Sequence, residues 1–112
     1  MEESILITIK KLLGITKEYT NFDVDIIAHI NTVFMTLNQL GVGPAEGFRI
    51  EDDSATWTDY ITDPLKFNAI QTYIYLKVKI VFDPPSSSAV LEANKQTINE
   101  LEWRLNVESE SK

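Results

Sequence analysis

The chain has 112 residues, no cysteine, and seventeen acids against ten bases for a formal charge of −7. That length holds one small domain with a modest core, and the missing cysteines exclude a disulfide framework, a thiolate zinc site and a cysteine nucleophile together. The acidic balance repels free nucleic acid, and Lys10, Lys11, Lys77, Lys79 and Arg104 are scattered rather than gathered into a basic groove.

Residues 3 to 13 carry Ile5, Ile9, Leu12 and Leu13 at helical spacing and end at Gly14, which predicts a short amphipathic helix with a glycine C-cap. The same segment opens on acid and is interrupted by Lys10 and Lys11, the wrong order for a signal peptide. No stretch approaches the ~20 apolar residues that span a bilayer, so a soluble chain is expected, with a reducing cytosol as its default compartment.

Thr20-Asn21-Phe22-Asp23 reads as a variant capping box, with Asp23 and Asp25 in the first turn where the helix dipole favours negative charge. Ile26, Ile27, Ile30, Val33, Phe34, Leu37 and Leu40 then form a wide apolar face. They predict a helix over about 22 to 40, at the centre of the core.

Gly41-Val42-Gly43-Pro44 stops that helix. Residues 44 to 63 carry Glu46, Glu51, Asp52, Asp53, Asp59 and Asp63 against the single base Arg49. An acidic loop of this length exceeds a mere connection, which points to a functional or partly mobile segment. Within it, Phe48 and Ile50 alternate with polar neighbours as a short strand does, and Thr56 to Ile61 predicts a helical turn pinned by Trp57 and Tyr60.

Asp63-Pro64 is a cap followed by proline at the first helical position, and the next helix is expected to run to about Phe82. Phe67, Ile70, Tyr73, Ile74, Leu76, Val78, Ile80 and Val81 make it apolar almost all round, as in a helix buried on more than one side. The β-branched and aromatic run from Tyr73 to Phe82 also fits a strand. Pro84 and Pro85 end the element, because Pro84 forces Asp83 out of helical geometry and neither proline has an N–H to donate.

Ser87 or Ser88 can cap a last helix over about 89 to 106, with Leu91, Asn94, Ile98, Leu101 and Leu105 spaced as a narrow coiled-coil-like seam. Trp103, beside Arg104 and between two seam positions, is the aromatic expected partly outside the core. From Val107 the chain is polar and lacks a core pattern, so residues 108 to 112 are expected to form a flexible tail after a single domain over 1 to 107. The sum is an all-α fold: a small four-helix domain with a long acidic loop between its second and third helices.

No constellation calls for chemistry. His29 lies four residues after Asp25 on one face, yet no Ser or Cys nucleophile motif and no glycine-rich loop accompanies the pair. Glu51, Asp52, Asp53, Asp59 and Asp63 offer hard oxygen ligands but lack the register of a calcium loop. Asp23 with Asp25, and Glu100 with Glu102, are two apart on a helix and face different ways. Neither an enzyme nor a bound cofactor or metal is expected.

The run from FDPPSS to ELEWRLNV, with DIIAHINTVFMTLNQLGVGP and TYIYLKVKIVFD upstream, resembles the small head-tail connector (adaptor) proteins of long-tailed phages that infect Gram-positive bacteria. The resemblance extends over about Ile5 to Val107. It implies a helical subunit of a twelve-fold ring that docks beneath the portal protein after packaging, extends the DNA channel and offers a surface to a stopper or tail completion protein. It also implies a virion component made in the host cytoplasm, with DNA passing through without specific binding and no membrane involved.

By the same analogy Trp103, Arg104, Val107 and Glu108 reach toward the portal, and the loop, with Phe48, Arg49, Trp57 and Tyr60, faces a neighbouring subunit or the stopper. Glu46, Glu51, Asp52 and Asp53 are the acids expected along the channel, where like charge keeps phosphate from sticking. Two alternatives are a stopper or tail completion protein of the same particle, a class richer in strand, and a small bacterial helical regulator, for which no basic recognition helix is visible.

Overall fold

Each helix of the protein begins or ends where local chemistry dictates. The computed structural model describes residues 3–63 and 66–110. Among them are five helices: α1 (Ile5–Leu12), α2 (Asp23–Gln39), the single turn α3 (Trp57–Tyr60), α4 (Phe67–Phe82) and α5 (Ser88–Glu110). The fold is all-α, as the patterning predicts.

Ser4 caps α1 by accepting from the Ile7 N–H at 3.2 Å, and Gly14 follows the helix at φ +86°. At the other end of the chain the Ser87 hydroxyl accepts from the Val90 N–H at 3.3 Å and starts α5. Asp83 ends α4 with its N–H on the Lys79 carbonyl at 2.9 Å, directly before the two prolines. The capping box expected at Thr20 to Asp23 does not form: Phe22 occupies the cap position with no side-chain hydrogen bond. Asp23 is drawn instead to a cation on α1.

The centre of the fold is α4 rather than α2. α4 packs against α1, α2 and α5, and buries Ile70, Tyr73, Ile74, Leu76 and Val78. This placement explains its apolar circumference and decides the helix over the strand reading of Tyr73 to Phe82. With neighbours on several sides, tertiary packing outweighs the β-propensity of that run. The start at Asp63-Pro64 falls partly on Pro64 and Leu65, outside the described residues, and regular α-helix begins at Phe67.

α5 lays its seam on this assembly, with Ile98 and Leu105 buried and Leu91, Asn94 and Leu101 half-buried. It continues to Glu110, past the end expected at Asn106, because no glycine or proline intervenes to stop it. Val107 and the backbone of the first three residues assigned to a flexible tail are therefore helical; Ser111 and Lys112 lie outside the described residues. Side-chain hydrogen bonds tie the helix to the rest of the fold. The Tyr73 hydroxyl donates to Glu102 Oε2 at 2.7 Å, and the Asn106 amide donates to the Leu40 carbonyl at 3.3 Å.

The loop between α2 and α4 is tied down at several points. Among the described residues no strand forms at Phe48 to Ile50. The Asn31 side chain takes the place of a strand partner, accepting from the Ile50 N–H at 2.8 Å and donating to the Ile50 carbonyl at 2.9 Å. The Asn38 amide donates to the Pro44 carbonyl at 3.1 Å, and the far end of the loop meets the N-terminus in a bridge between Ser4 and Thr56.

Gly43 has φ +86°, and a β-carbon there would stand 2.6 Å from Tyr60 Cε1. Gly14 has the same φ but open space around it. Gly43→Ala is therefore expected to lower stability by about 2–3 kcal/mol, from left-handed strain plus the clash, and Gly14→Ala by about 1 kcal/mol from strain alone. Urea unfolding of the two variants checks the difference; equal losses would show that the Tyr60 ring simply moves aside.

Candidate assembly surfaces

The outer end of α5 presents the largest exposed aromatic. Trp103 is 66% exposed, whereas Leu105, two residues on, is buried against the bundle. Helical geometry produces the contrast, since residues two apart face opposite ways. Val107 is also exposed, and Arg104 is held flat along the helix by Glu100, with Nη2 at 3.0 Å and Nε at 3.1 Å from its Oε1. Glu108 is in the helix, but its side chain lies outside the described residues.

The loop residues separate into two groups. Trp57 and Tyr60 are 3% and 4% exposed and belong to the core. The Trp57 indole donates to Thr8 Oγ1 at 3.1 Å, and the Tyr60 ring lies 4.7 Å from Phe34 and 5.2 Å from Phe48, centroid to centroid. These rings anchor the loop from inside. Phe48 is half-buried in the same cluster, and only Arg49 of the four expected contact residues is exposed.

Glu46, Glu51, Asp52 and Asp53 are all exposed. The Ser54 hydroxyl and N–H both donate to Asp52 Oδ1, which holds its carboxyl below the usual carboxylate range. Among the described residues no three His, Asp or Glu side chains converge as a metal site requires. His29 is half-buried and Asp25 exposed.

A buried ion pair ties the segment between α1 and α2 to α1. Lys10 is 1% exposed, and its Nζ donates to the Tyr19 carbonyl at 2.8 Å and the Lys17 carbonyl at 3.3 Å while pairing with Asp23 Oδ1 at 2.8 Å. No other hydrogen-bond partner reaches that oxygen among the described residues. An interrupted apolar run at Lys10 was the one visible trace of this pair.

Comparison with protein families decides what this helical domain is. A family model described as phage connector protein matches residues 5–112, nearly the whole chain. The chain belongs to the phage connector protein family. No curated protein and no solved structure matches it. Its family is a structural one whose members serve as head-tail connectors, so this connector is a virion component that works through contacts with other virion proteins such as the portal. Among the described residues no helix of the connector is long and apolar enough to cross a membrane.

Burial also makes the connector sensitive to base. The Tyr60 and Tyr73 phenols both titrate well above their ordinary value of 10.0, Tyr60 because it is buried and Tyr73 because of burial first and the Glu102 carboxylate second. In the unfolded chain they ionise near that ordinary value while the folded protein retains both protons. Stability is therefore full below about pH 10 and falls as the pH rises beyond it. Urea midpoints at about pH 9 and about pH 11 should show the drop, and Tyr73→Phe should make it shallower; an unchanged drop would remove Tyr73 as a source.

Proposed function

We infer that the connector docks as a closed, twelve-fold ring beneath the portal protein, lengthens the DNA channel and presents its far side to a stopper or tail completion protein. Exposure of Trp103 beside buried Leu105 carries the docking assignment, because an aromatic left outside a well-packed bundle is the usual anchor of a protein contact. Val107 continues that surface along α5. An all-helical subunit fits this role better than that of the strand-richer stoppers.

Exposed Glu51, Asp52 and Asp53 are the acids proposed to line the channel, where they would keep phosphate from binding as the genome slides. Glu46 lines a surface depression with Met35 and Arg49. Conversion of the three acids to lysine should slow ejection, and unchanged ejection kinetics would remove them from the channel wall.

Docking is tested by sedimenting the full-length chain with the portal ring of its own phage, beside Trp103→Ala and a chain ending at Asn106. Co-sedimentation of the full-length chain and its loss in both variants is expected. Because Trp103 lies outside the core, circular dichroism of that variant should match the parent. Variants that bind as well as the parent would move the portal contact away from this end of α5.

A further inference from the structure

α5 is the helix least committed to the rest of the bundle. α4 supplies most of its seat, and of the side chains described along α5 only Ile98 and Leu105 are buried. From Ser88 to Thr97, Leu91 and Asn94 are half-buried and the other residues are exposed. The seat beside that stretch is incompletely filled, leaving a groove of about 290 Å³ between Ile80 and Val81 of α4 and Ile98 of α5. Val81 and Val90, on either side of the corner in the chain, are 61% and 49% exposed.

The corner that joins the two helices does not fasten one to the other. Asp83 bonds back to Lys79 of α4, through its N–H at 2.9 Å and its carboxylate at 3.4 Å. The Ser87 hydroxyl and carbonyl accept instead from the N–H groups of Val90 and Leu91 in α5. Between them, Pro84, Pro85 and Ser86 make no hydrogen bond among the described residues, and neither proline has an N–H with which to make one. Each end of the corner travels with its own helix, and a hinge lies between.

We propose that in the assembled connector α5 swings out at this hinge and takes the α5 seat on α4 of a neighbouring copy. The seat itself selects the occupant, because the segment it recognises already lies in it. Ile98 and Leu105 make the apolar contact, Glu102 accepts from the Tyr73 hydroxyl at 2.7 Å, and Asn106 reaches the Leu40 carbonyl at 3.3 Å. A second copy brings the identical segment, so these contacts re-form between chains and only the hinge changes. A tethered helix meets its own seat at an effective concentration on the order of mM, which keeps the dilute chain closed. Copies held side by side under the portal meet at comparable concentration, and Val81 and Val90 of adjoining corners then cover one another. Each copy gives its α5 to one neighbour and receives another from the next, a heterologous exchange that can close as a ring. Trp103, the proposed portal anchor, is thereby carried on the bundle of the next subunit. The exchange rests on the ring reading above, and names the element through which its subunits meet.

The unaltered chain reports the exchange, because Lys77 of α4 lies 3.8 Å from Glu102 of α5 and a zero-length carbodiimide can join them. Isotope-heavy chain is mixed with a tenfold excess of light chain, assembled on the portal ring, linked and digested. Exchange predicts that most heavy Glu102 peptides are joined to light Lys77 peptides, at least tenfold more than in the dilute free chain. The Lys79–Asp83 pair, 3.4 Å apart within one segment, is the internal control and must stay unmixed.

A heavy Glu102 peptide joined mainly to heavy Lys77 in the assembled ring overturns the exchange. So does loss of the Lys77–Glu102 link on assembly, since α5 would then occupy neither seat. Co-sedimentation with the portal is read separately. If it persists with unmixed links, the exchange fails and the connector reading stands. If the concentrated free chain gives mixed links without portal binding, the exchange holds and the docking reading fails.

Discussion

Lys10→Ala should destabilise the connector by about 3–5 kcal/mol, the usual cost of removing one partner from a buried ion pair. Three oxygens depend on this ammonium: Asp23 Oδ1 at 2.8 Å, the Tyr19 carbonyl at 2.8 Å and the Lys17 carbonyl at 3.3 Å. Removing it strands an enclosed carboxylate oxygen, leaves two carbonyls unsatisfied and opens a void where the four-carbon stem was packed. The loop from Gly14 to Phe22 would lose its side-chain tie to α1. The pair itself is a different matter from its breakage, since taking two charges out of water offsets most of their attraction. Lys10→Met with Asp23→Asn should therefore recover much of the loss. A double-mutant cycle by urea unfolding measures this, with a coupling of about 2 kcal/mol or more expected. Loss below about 1 kcal/mol for Lys10→Ala would mean that water enters and replaces the ammonium.

Asn31→Ala is expected to cost about 3 kcal/mol, because it removes both partners of a backbone unit whose side chain is 1% exposed. Ile50 is held as a strand residue is held, by one accepted and one donated hydrogen bond of 2.8 and 2.9 Å, but the partner is a single carboxamide. Without it the Ile50 N–H and carbonyl must reach water, and the loop must lift from α2 to allow that. Hydrogen exchange at the Ile50 amide should accelerate to the rate of an open loop. Asn31→Asp separates the two bonds: a carboxylate still accepts from the N–H but repels the carbonyl, so amide protection should persist in part while stability falls. Unchanged exchange in Asn31→Ala would show that Trp57 and Tyr60 hold the loop without help.

The same residues mark how far the sequence could be read. Helix limits set by punctuation were legible: Gly14, the Gly41 to Pro44 turn, Pro84-Pro85 and the Ser87 cap act through their own backbone geometry or a neighbour three residues away. The seam of α5 and the position of α3 followed from periodicity and spacing. The capping box at Thr20 did not survive, because a cation on α1 offers Asp23 a better partner than the helix end does. The strand at Phe48 failed for a related reason. Alternation announces which residues are buried, and Asn31, nineteen positions earlier, supplied the hydrogen bonds that a neighbouring strand would have given.

Of the surfaces, exposed Trp103 was visible from its place between seam positions, and the acids of the loop from their charge. Trp57 and Tyr60 were visible as anchors, but which side of the loop they faced was not. An aromatic residue that pins a loop and one that awaits a partner have the same composition signature.

By itself the sequence determined the helical class, the element order and the acidic balance, since each depends on residue type or on spacing within a few turns. Only the tertiary structure decided that α4 is the central helix, that Lys10 belongs to the interior, and that Asn31 and Glu102 hold distant segments. Those outcomes come from contacts between residues 13 to 66 positions apart. Such contacts exist only once chain closure has brought the elements together, so no local pattern encodes them.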